Sequence, residues 1–156
     1  MVKIRKAKKT DAKTIHDLLY ALAVYEKLQH KFKLTENKVK KVFFSSGTVA
    51  RTLIAEVNGK PSAVAVYFYN FSSFLACKGI YLEDLFVLPE YRGFGVGKKL
   101  FVHIANIAKK EKCARFEWSV LDWNTPALKF YKKLGAKPLK NWQVHRLDGK
   151  ALKNLK

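Results

Sequence analysis

Acidic residues are scarce in this chain. Twelve Asp and Glu stand against 31 Lys and Arg, a formal net charge of +19 in 156 residues. Such a field attracts anionic ligands and opposes polycations. Arginine is scarce as well: there are 26 lysines and 5 arginines, and the lysines are spread along the whole chain. Nucleic-acid readers lean on the arginine fork for bidentate contacts. With no zinc finger, RNA-recognition motif or clear helix-turn-helix pattern, the sequence argues against a nucleic-acid partner. Only two cysteines occur, Cys77 and Cys113. They are too few for a disulfide framework, their spacing fits no metal site, and a reducing cytoplasm is expected. The four histidines, His16, His30, His103 and His145, are dispersed, so neither a metal site nor a catalytic triad is expected. No apolar run reaches the length that crosses a bilayer. The N-terminal MVKIRKAKKTDAKTI lacks the apolar segment of a signal peptide, and no membrane partner is expected.

What is present is enough to fold. Hydrophobic residues make up 49% and aromatics 13% of the chain, and its length suits one domain over residues 1–156. Residues 2–7 read as a strand. Thr10 or Asp11 can cap a helix whose apolar face is Ile15, Leu18, Leu19 and Leu22. Thr35 caps a second helix through about Phe44. Strands are expected at 48–57, 62–71 and 80–88, with NGKP (58–61) as a hairpin turn between the first two. A helix follows the glycines after residue 92, with Val96, Leu100, Ile104, Ile107 and Ala108 on one face. A strand is expected at 114–121, a helix from Asn124 to Gly135, and a closing strand at 142–147. The order β-α-α-β-β-β-α-β-α-β predicts an α+β, or mixed α/β, domain: a central, mostly antiparallel twisted sheet flanked by helices.

The chemistry concentrates in YLEDLFVLPEYRGFGVGKKL, residues 81–100. In Arg92-Gly93-Phe94-Gly95-Val96-Gly97, glycines let backbone N–H groups converge on one point and approach a ligand closely. The following helix adds unpaired N–H groups and a positive dipole end, and Arg92 adds a cation, a set suited to a diphosphate. It is not a P-loop, because Gly97-Lys98 is followed by Lys99 rather than Ser or Thr. Nor does it fit a dinucleotide fingerprint, which belongs to an early βαβ unit. On spacing alone, a glycine-rich turn that merely packs a helix stays open.

Together with LDWNTPALKFYKKLGA downstream, this stretch resembles the GNAT superfamily of N-acetyltransferases. Its Arg-x-x-Gly-x-Gly core is met by Arg92, Gly95 and Gly97. YLEDLFV, FEWSVLDWN and LAVYEKL (22–28) narrow the resemblance to the diamine (spermidine/spermine) acetyltransferase branch, over almost the whole chain. The resemblance implies acetyl-CoA as cosubstrate, no metal, and a homodimer whose acceptor sites draw on both subunits. It further implies that Gly93, Phe94, Gly95, Val96, Gly97 and Lys98 hold the pyrophosphate through backbone N–H groups, beside Arg92. A bulged strand ending at Val87 would pair with the pantetheine arm, and backbone at Leu85, Phe86 and Val87 would hold the acetyl carbonyl. An N–H aimed there stabilises the developing oxyanion. Asn124 and Ala127 are implied as further coenzyme contacts, and Asn124 is equally an N-cap.

Two proton transfers remain. Glu83, two residues before Leu85 and so on the same strand face, is the expected base or amine anchor; strict alternation sends Asp84 to the opposite face. A structural carboxylate is the alternative for Glu83. Tyr131 is the expected acid for the leaving thiolate, although periodicity alone reads it as helix core with Ala127 and Leu134. The branch's acceptor-site dipeptide is matched by Tyr25 and Glu26, and the strand bordering the pocket by Glu117, Trp118 and Ser119. Carboxylates and aromatics suit an alkylammonium. Polyamine-specific members carry an acidic segment before the tryptophan matching Trp142, where this chain has the basic KPLKN. That departure counts against selection for polyamine length and admits a smaller amine, a diamine or a lysine-like amino acid. The branch resemblance still makes a small cationic amine of the diamine or polyamine class the expected acceptor, with thialysine or another amino acid, a protein lysine, and a basic nucleic-acid-associated module as the rivals.

Overall fold

Four antiparallel strands and one short parallel strand form the sheet, in the order β1-β2-β3-β4-β5. The computed structural model describes residues 1–156, which group into two compact units, Met1–Ser119 and Val120–Lys156. In the first unit the strands are β1 (Val2–Lys6), β2 (Arg51–Val57), β3 (Lys60–Ser72), β4 (Cys77–Val87) and β5 (Phe116–Trp118). The helices are α1 (Ala12–Tyr25), α2 (Glu36–Val42) and α3 (Val96–Lys110). The expected α+β class and mostly antiparallel sheet are what the chain adopts.

Alternation along the strands sorts the core into two layers. Ile54, Val64, Val66 and Phe86 pack with Ala12, Ile15, Leu18 and Leu19 of α1 and Val39 of α2. Leu53, Ala55, Ala63 and Ala65, their neighbours in the strands, are also fully buried and point to the opposite face. There α3 buries Val96, Leu100, Phe101, Ile104 and Ala108. Each helix is amphipathic because its sheet-facing stripe follows the helical period.

Local chemistry fixes the ends. Thr35 caps α2 by accepting from the Lys38 backbone N–H at 3.2 Å, as expected. Asp11 precedes α1 but makes no side-chain cap bond to it. Its carboxylate instead takes both arms of Arg5, at 2.7 and 2.9 Å, and Arg5 Nε also donates to Glu56 at 2.7 Å. This knot ties β1 to the start of α1 and to β2, and the Arg5 guanidinium holds the Asp11 carboxyl below its ordinary range.

The second unit contains α4 (Thr125–Lys133) and α5 (Gly149–Asn154). Asn124 is buried and caps α4, accepting from the Ala127 N–H at 3.3 Å. Gly135, at φ 85°, follows the helix as expected. Two sequence expectations fail. The strand at 114–121 shrinks to Phe116–Trp118, and the closing strand at 142–147 does not form. Trp142 and Val144 are 77% and 85% exposed. The alternating pattern of 142–147 is strand-like, but a strand needs a hydrogen-bonded neighbour, and residues 120–156 contain no other strand. Gly149–Asn154 forms a short helix in addition to the expected elements.

Candidate active site

The centre of the site is an irregularity in β4. Ala65 pairs with Leu85 and Val66 with Asp84, but Tyr67 pairs with Leu82, so Glu83 is the extra residue of a β-bulge. The resemblance implied a bulge in this strand, and it has a large consequence. Before it, Ile80 and Leu82 share the face of Tyr67 and Tyr69, which also carries Ala63 and Ala65. After it, Asp84 and Phe86 lie opposite Val66 and Val64, on the face that α1 covers. The alternation that was to separate Glu83 from Asp84 breaks at this point. Asp84 is the functional candidate that period-2 counting set aside.

Its environment is unusual for a carboxylate. Burial, followed by the charges of Glu83 and Glu26, pushes the Asp84 carboxyl up to about 7. Glu26 stands just past the end of α1, and burial raises its carboxyl as well. Glu83 is exposed. Three of the expected residues, Tyr25, Glu26 and Glu83, therefore gather around Asp84 and Phe86, where the Tyr25 and Phe86 rings lie 6.3 Å apart. A carboxyl with such a pKa at the mouth of a bulged strand is suited to taking a proton at neutral pH.

The other expected acceptor residues are held elsewhere. Glu117 accepts from Asn70 Nδ2 at 2.9 Å and forms a 2.9 Å ion pair with Arg115 Nε that lacks hydrogen-bond alignment. Ser119 Oγ and the Tyr81 hydroxyl share a 2.6 Å bond. The Trp118 ring meets Phe101 of α3 edge-on at 5.0 Å. This trio is knitted into the packing of β3, β4, β5 and α3.

Beside the bulge the sheet opens. β5 pairs with β4 only from Ile80 to Leu82. Beyond Leu82, the β4 edge that faced β5 continues through Leu85, Phe86 and Val87 with no strand beside it, while the other edge stays paired to β3. An extended polar ligand can add to such an edge as a strand would.

The chain then turns through Pro89–Tyr91 into the glycine loop. Gly93 and Gly95 take φ values of 82° and 76°, in the left-handed region. Gly95 is the N-cap of α3, and the Lys99 N–H makes the helix's first bond, to the Gly95 carbonyl at 3.0 Å. The N–H groups of Val96, Gly97 and Lys98 thus have no intrahelical acceptor and converge at the positive end of a 15-residue helix. Gly97 serves packing: a Cβ there would stand 3.4 Å from Val87. The loop therefore fits the diphosphate of a coenzyme in its backbone, while both cradle glycines have open space where a Cβ would sit. Gly95→Val is expected to weaken coenzyme A binding roughly tenfold, because a β-branched residue at this φ strains the backbone rather than colliding with a neighbour. Calorimetric titration checks this, and unchanged affinity would remove the loop from the binding site.

Arg92 departs from expectation. Its Nε donates to the Val87 carbonyl at 2.9 Å, and its guanidinium lies over the Tyr25 ring, 4.7 Å from the ring centre. In the second unit, Asn124 and Ala127 form the cap of α4, and Tyr131 lies on the same helix with its ring 5.2 Å from that of Phe130. No cluster of His, Cys, Asp and Glu that could hold a metal ion is present, and no helix is long and apolar enough to cross a membrane.

Known proteins resemble this arrangement. A thialysine N-epsilon-acetyltransferase of Bos taurus is 36% identical over 165 residues, covering 99% of this chain and 96% of that protein. An L-ornithine N5-acetyltransferase of Arabidopsis thaliana is 30% identical, covering 96% of this chain and 86% of that protein. Among solved structures, an integron cassette protein from the mobile metagenome of V. cholerae superposes with a TM-score of 0.83 at 26% identity, covering 97% of this chain and 95% of that one. The model of the Acetyltransferase (GNAT) family matches residues 12–136, across the boundary of the two compact units. With the bulged strand, the open edge and the glycine cradle at the head of α3, these matches establish that the chain belongs to the GNAT family of acetyltransferases.

Proposed function

We propose that this protein transfers the acetyl group of acetyl-CoA to the side-chain amine of a small amino acid of the thialysine or ornithine type. The diamine and polyamine class becomes the second reading. The half-buried Asp84 carboxyl, raised to about 7 by desolvation and by the charges of Glu83 and Glu26, carries the amine chemistry. The acceptor class is supported by the likeness to thialysine and ornithine acetyltransferases over nearly the whole chain. Two features weigh against a polycation. Glu117 is already engaged by Asn70 and Arg115, and the segment before Trp142 is basic. A mono-cationic side chain with its own carboxylate meets less repulsion in a field of +19.

Acetyl-CoA, the cosubstrate of the GNAT family, supplies the activated acetyl thioester. The N–H groups of the Gly93–Lys98 stretch hold its diphosphate, and the open β4 edge at Leu85–Val87 holds the pantetheine and the carbonyl oxygen, steadying the charge that develops there. Asn124 and Ala127 at the head of α4 add coenzyme contacts. Glu26 and Glu83 draw in the acceptor ammonium. Asp84, coupled to Glu83, takes the proton that frees the attacking nitrogen. The Tyr131 hydroxyl gives a proton to the departing thiolate. Glu117, Trp118 and Ser119 shape the pocket wall. Both compact units act as one catalytic domain, and the same reading includes a homodimer and, from the two free thiols, a reducing cytoplasm.

Coenzyme release from acetyl-CoA against thialysine, ornithine, lysine, putrescine, spermidine, spermine and a basic peptide tests the reading. Thialysine and ornithine are expected to show the highest kcat/KM. A preference for spermidine or spermine would restore the polyamine reading. Turnover of the peptide alone would move the acceptor to protein lysine. Failure on every amine, with coenzyme still bound, would overturn amine transfer.

A further inference from the structure

Arg92 stands in the position from which a cation would reach a bound diphosphate, yet its contacts point the other way. Its Nε is held by the Val87 carbonyl at 2.9 Å. Its guanidinium carbon lies 4.7 Å from the Tyr25 ring centre and 5.4 Å from that of Phe86. Phe86 is buried in the core that α1 covers, and Tyr25 packs against that core. Arg92 takes part in none of the ion pairs of the molecule. The guanidinium thus lies over Tyr25 and within reach of Phe86, whose ring is tilted 52° to that of Tyr25, and the three close into one cluster. It also stands by the last residue of α1, where the negative end of the helix dipole favours a cation. A lysine could supply the charge but not the planar fork that bonds a carbonyl and covers a ring at once.

The cluster joins three pieces of the site. Val87 ends the strand that carries Asp84 and the open edge. Tyr25 and Glu26 end the helix on the acceptor side. Gly93, the residue after Arg92, begins the cradle. We propose that Arg92 is a positioning residue for the acceptor: by stacking on Tyr25 it fixes the Tyr25–Glu26 corner and ties it to the coenzyme loop. This role rests on the amine-transfer reading, since Glu26 is taken to face the acceptor. Movement of the loop on coenzyme binding is then transmitted to the acceptor side by one side chain.

Steady-state kinetics of Arg92→Lys with acetyl-CoA and thialysine, alongside calorimetric titration with coenzyme A, separate the possibilities. The KM for thialysine is expected to rise about tenfold, with the coenzyme Kd changed by about twofold or less. Tyr25→Leu is expected to raise the amine KM similarly, and the double variant to be no worse than the weaker single one. In urea unfolding, the same cycle is expected to show a coupling of about fivefold in the equilibrium constant. A weakened coenzyme Kd with unchanged amine KM would make Arg92 a phosphate cation and overturn the proposal. So would additive effects in the kinetic or the unfolding cycle. Wild-type protein that acetylates no amine would instead overturn the functional reading and the acceptor role with it, while the unfolding cycle still reports on the cluster itself.

Discussion

Asp84→Asn is expected to lower kcat/KM for the amine by about 10²- to 10³-fold while raising the stability of the protein at pH 8. Both effects come from one carboxyl. In the wild-type chain Asp84 is pushed up to about 7 by burial and by Glu83 and Glu26. The free enzyme should therefore gain activity as pH rises through about 7, with the amine's own deprotonation adding a further rise at higher pH. The asparagine variant should lose the lower limb and keep the upper one. The stability effect has a definite sign. Because the folded-state value lies above the unfolded one, the folded state binds the extra proton between roughly pH 4 and pH 7. Stability associated with the protonated form is present below that window and lost as pH rises through it. At pH 8 the charged carboxylate costs the fold up to about 4 kcal/mol, most of which the neutral amide removes. Thermal unfolding at pH 4 and pH 8 measures this: the variant should gain at pH 8 and change little at pH 4. A variant with wild-type turnover would remove Asp84 from the chemistry, and one destabilised at pH 8 would show that the carboxyl is not held at a cost.

Tyr131→Phe is expected to reduce kcat by about 10²-fold with the Kd for coenzyme A within about twofold of wild type. The ring is retained, so the packing of α4 against its own unit is preserved, including the edge contact with Phe130. Only the hydroxyl is lost, and in the proposed mechanism it acts when the thiolate departs. A thiol of ordinary acidity leaves as its anion at some cost, and a neighbouring phenol lowers that cost by sharing its proton. Single-turnover measurements should place the defect in the acetyl-transfer step. Unchanged kcat would assign Tyr131 to packing, and a large loss of coenzyme affinity would make it a binding residue.

Much of this site is readable in the chain. The hydrophobic periods of α1 and α3 and the alternation in β2 and β3 place the sheet between its helices. The glycines at 93, 95 and 97 announce a tight loop before a helix, and Asn124 announces the head of α4. What stays hidden is what depends on partners far away in sequence. Whether Glu83 and Asp84 face apart is a count by twos, and the count is wrong wherever a bulge inserts a residue. The resemblance implies a bulge in this strand but not the residue at which it falls, because that is settled by pairing with Val66 and Tyr67 of β3. Glu117 reads as a free acceptor carboxylate until Asn70, 47 positions away, is seen to hold it. Arg92 reads as a phosphate cation because the motif surrounds it, whereas its ring partner lies in α1. Residues 142–147 alternate like a strand, and a strand pattern without a neighbour does not become a strand.

The parting of β4 and β5 after Leu82 bears on how the protein behaves in concentrated solution. A row of backbone donors and acceptors with no strand beside it is a template on which a second chain can crystallise its own edge, the first step of ordered aggregation. Sheets commonly blunt such edges with lysine. Here the guard is spread over the entire surface: 26 lysines give every copy the same strong sign, so two copies repel before their edges can meet. The scarcity of acid that sets this sequence apart then acts as colloidal protection for a sheet left open on one side. Raising the salt concentration screens that protection and should bring the unliganded protein out of solution before the coenzyme-bound form.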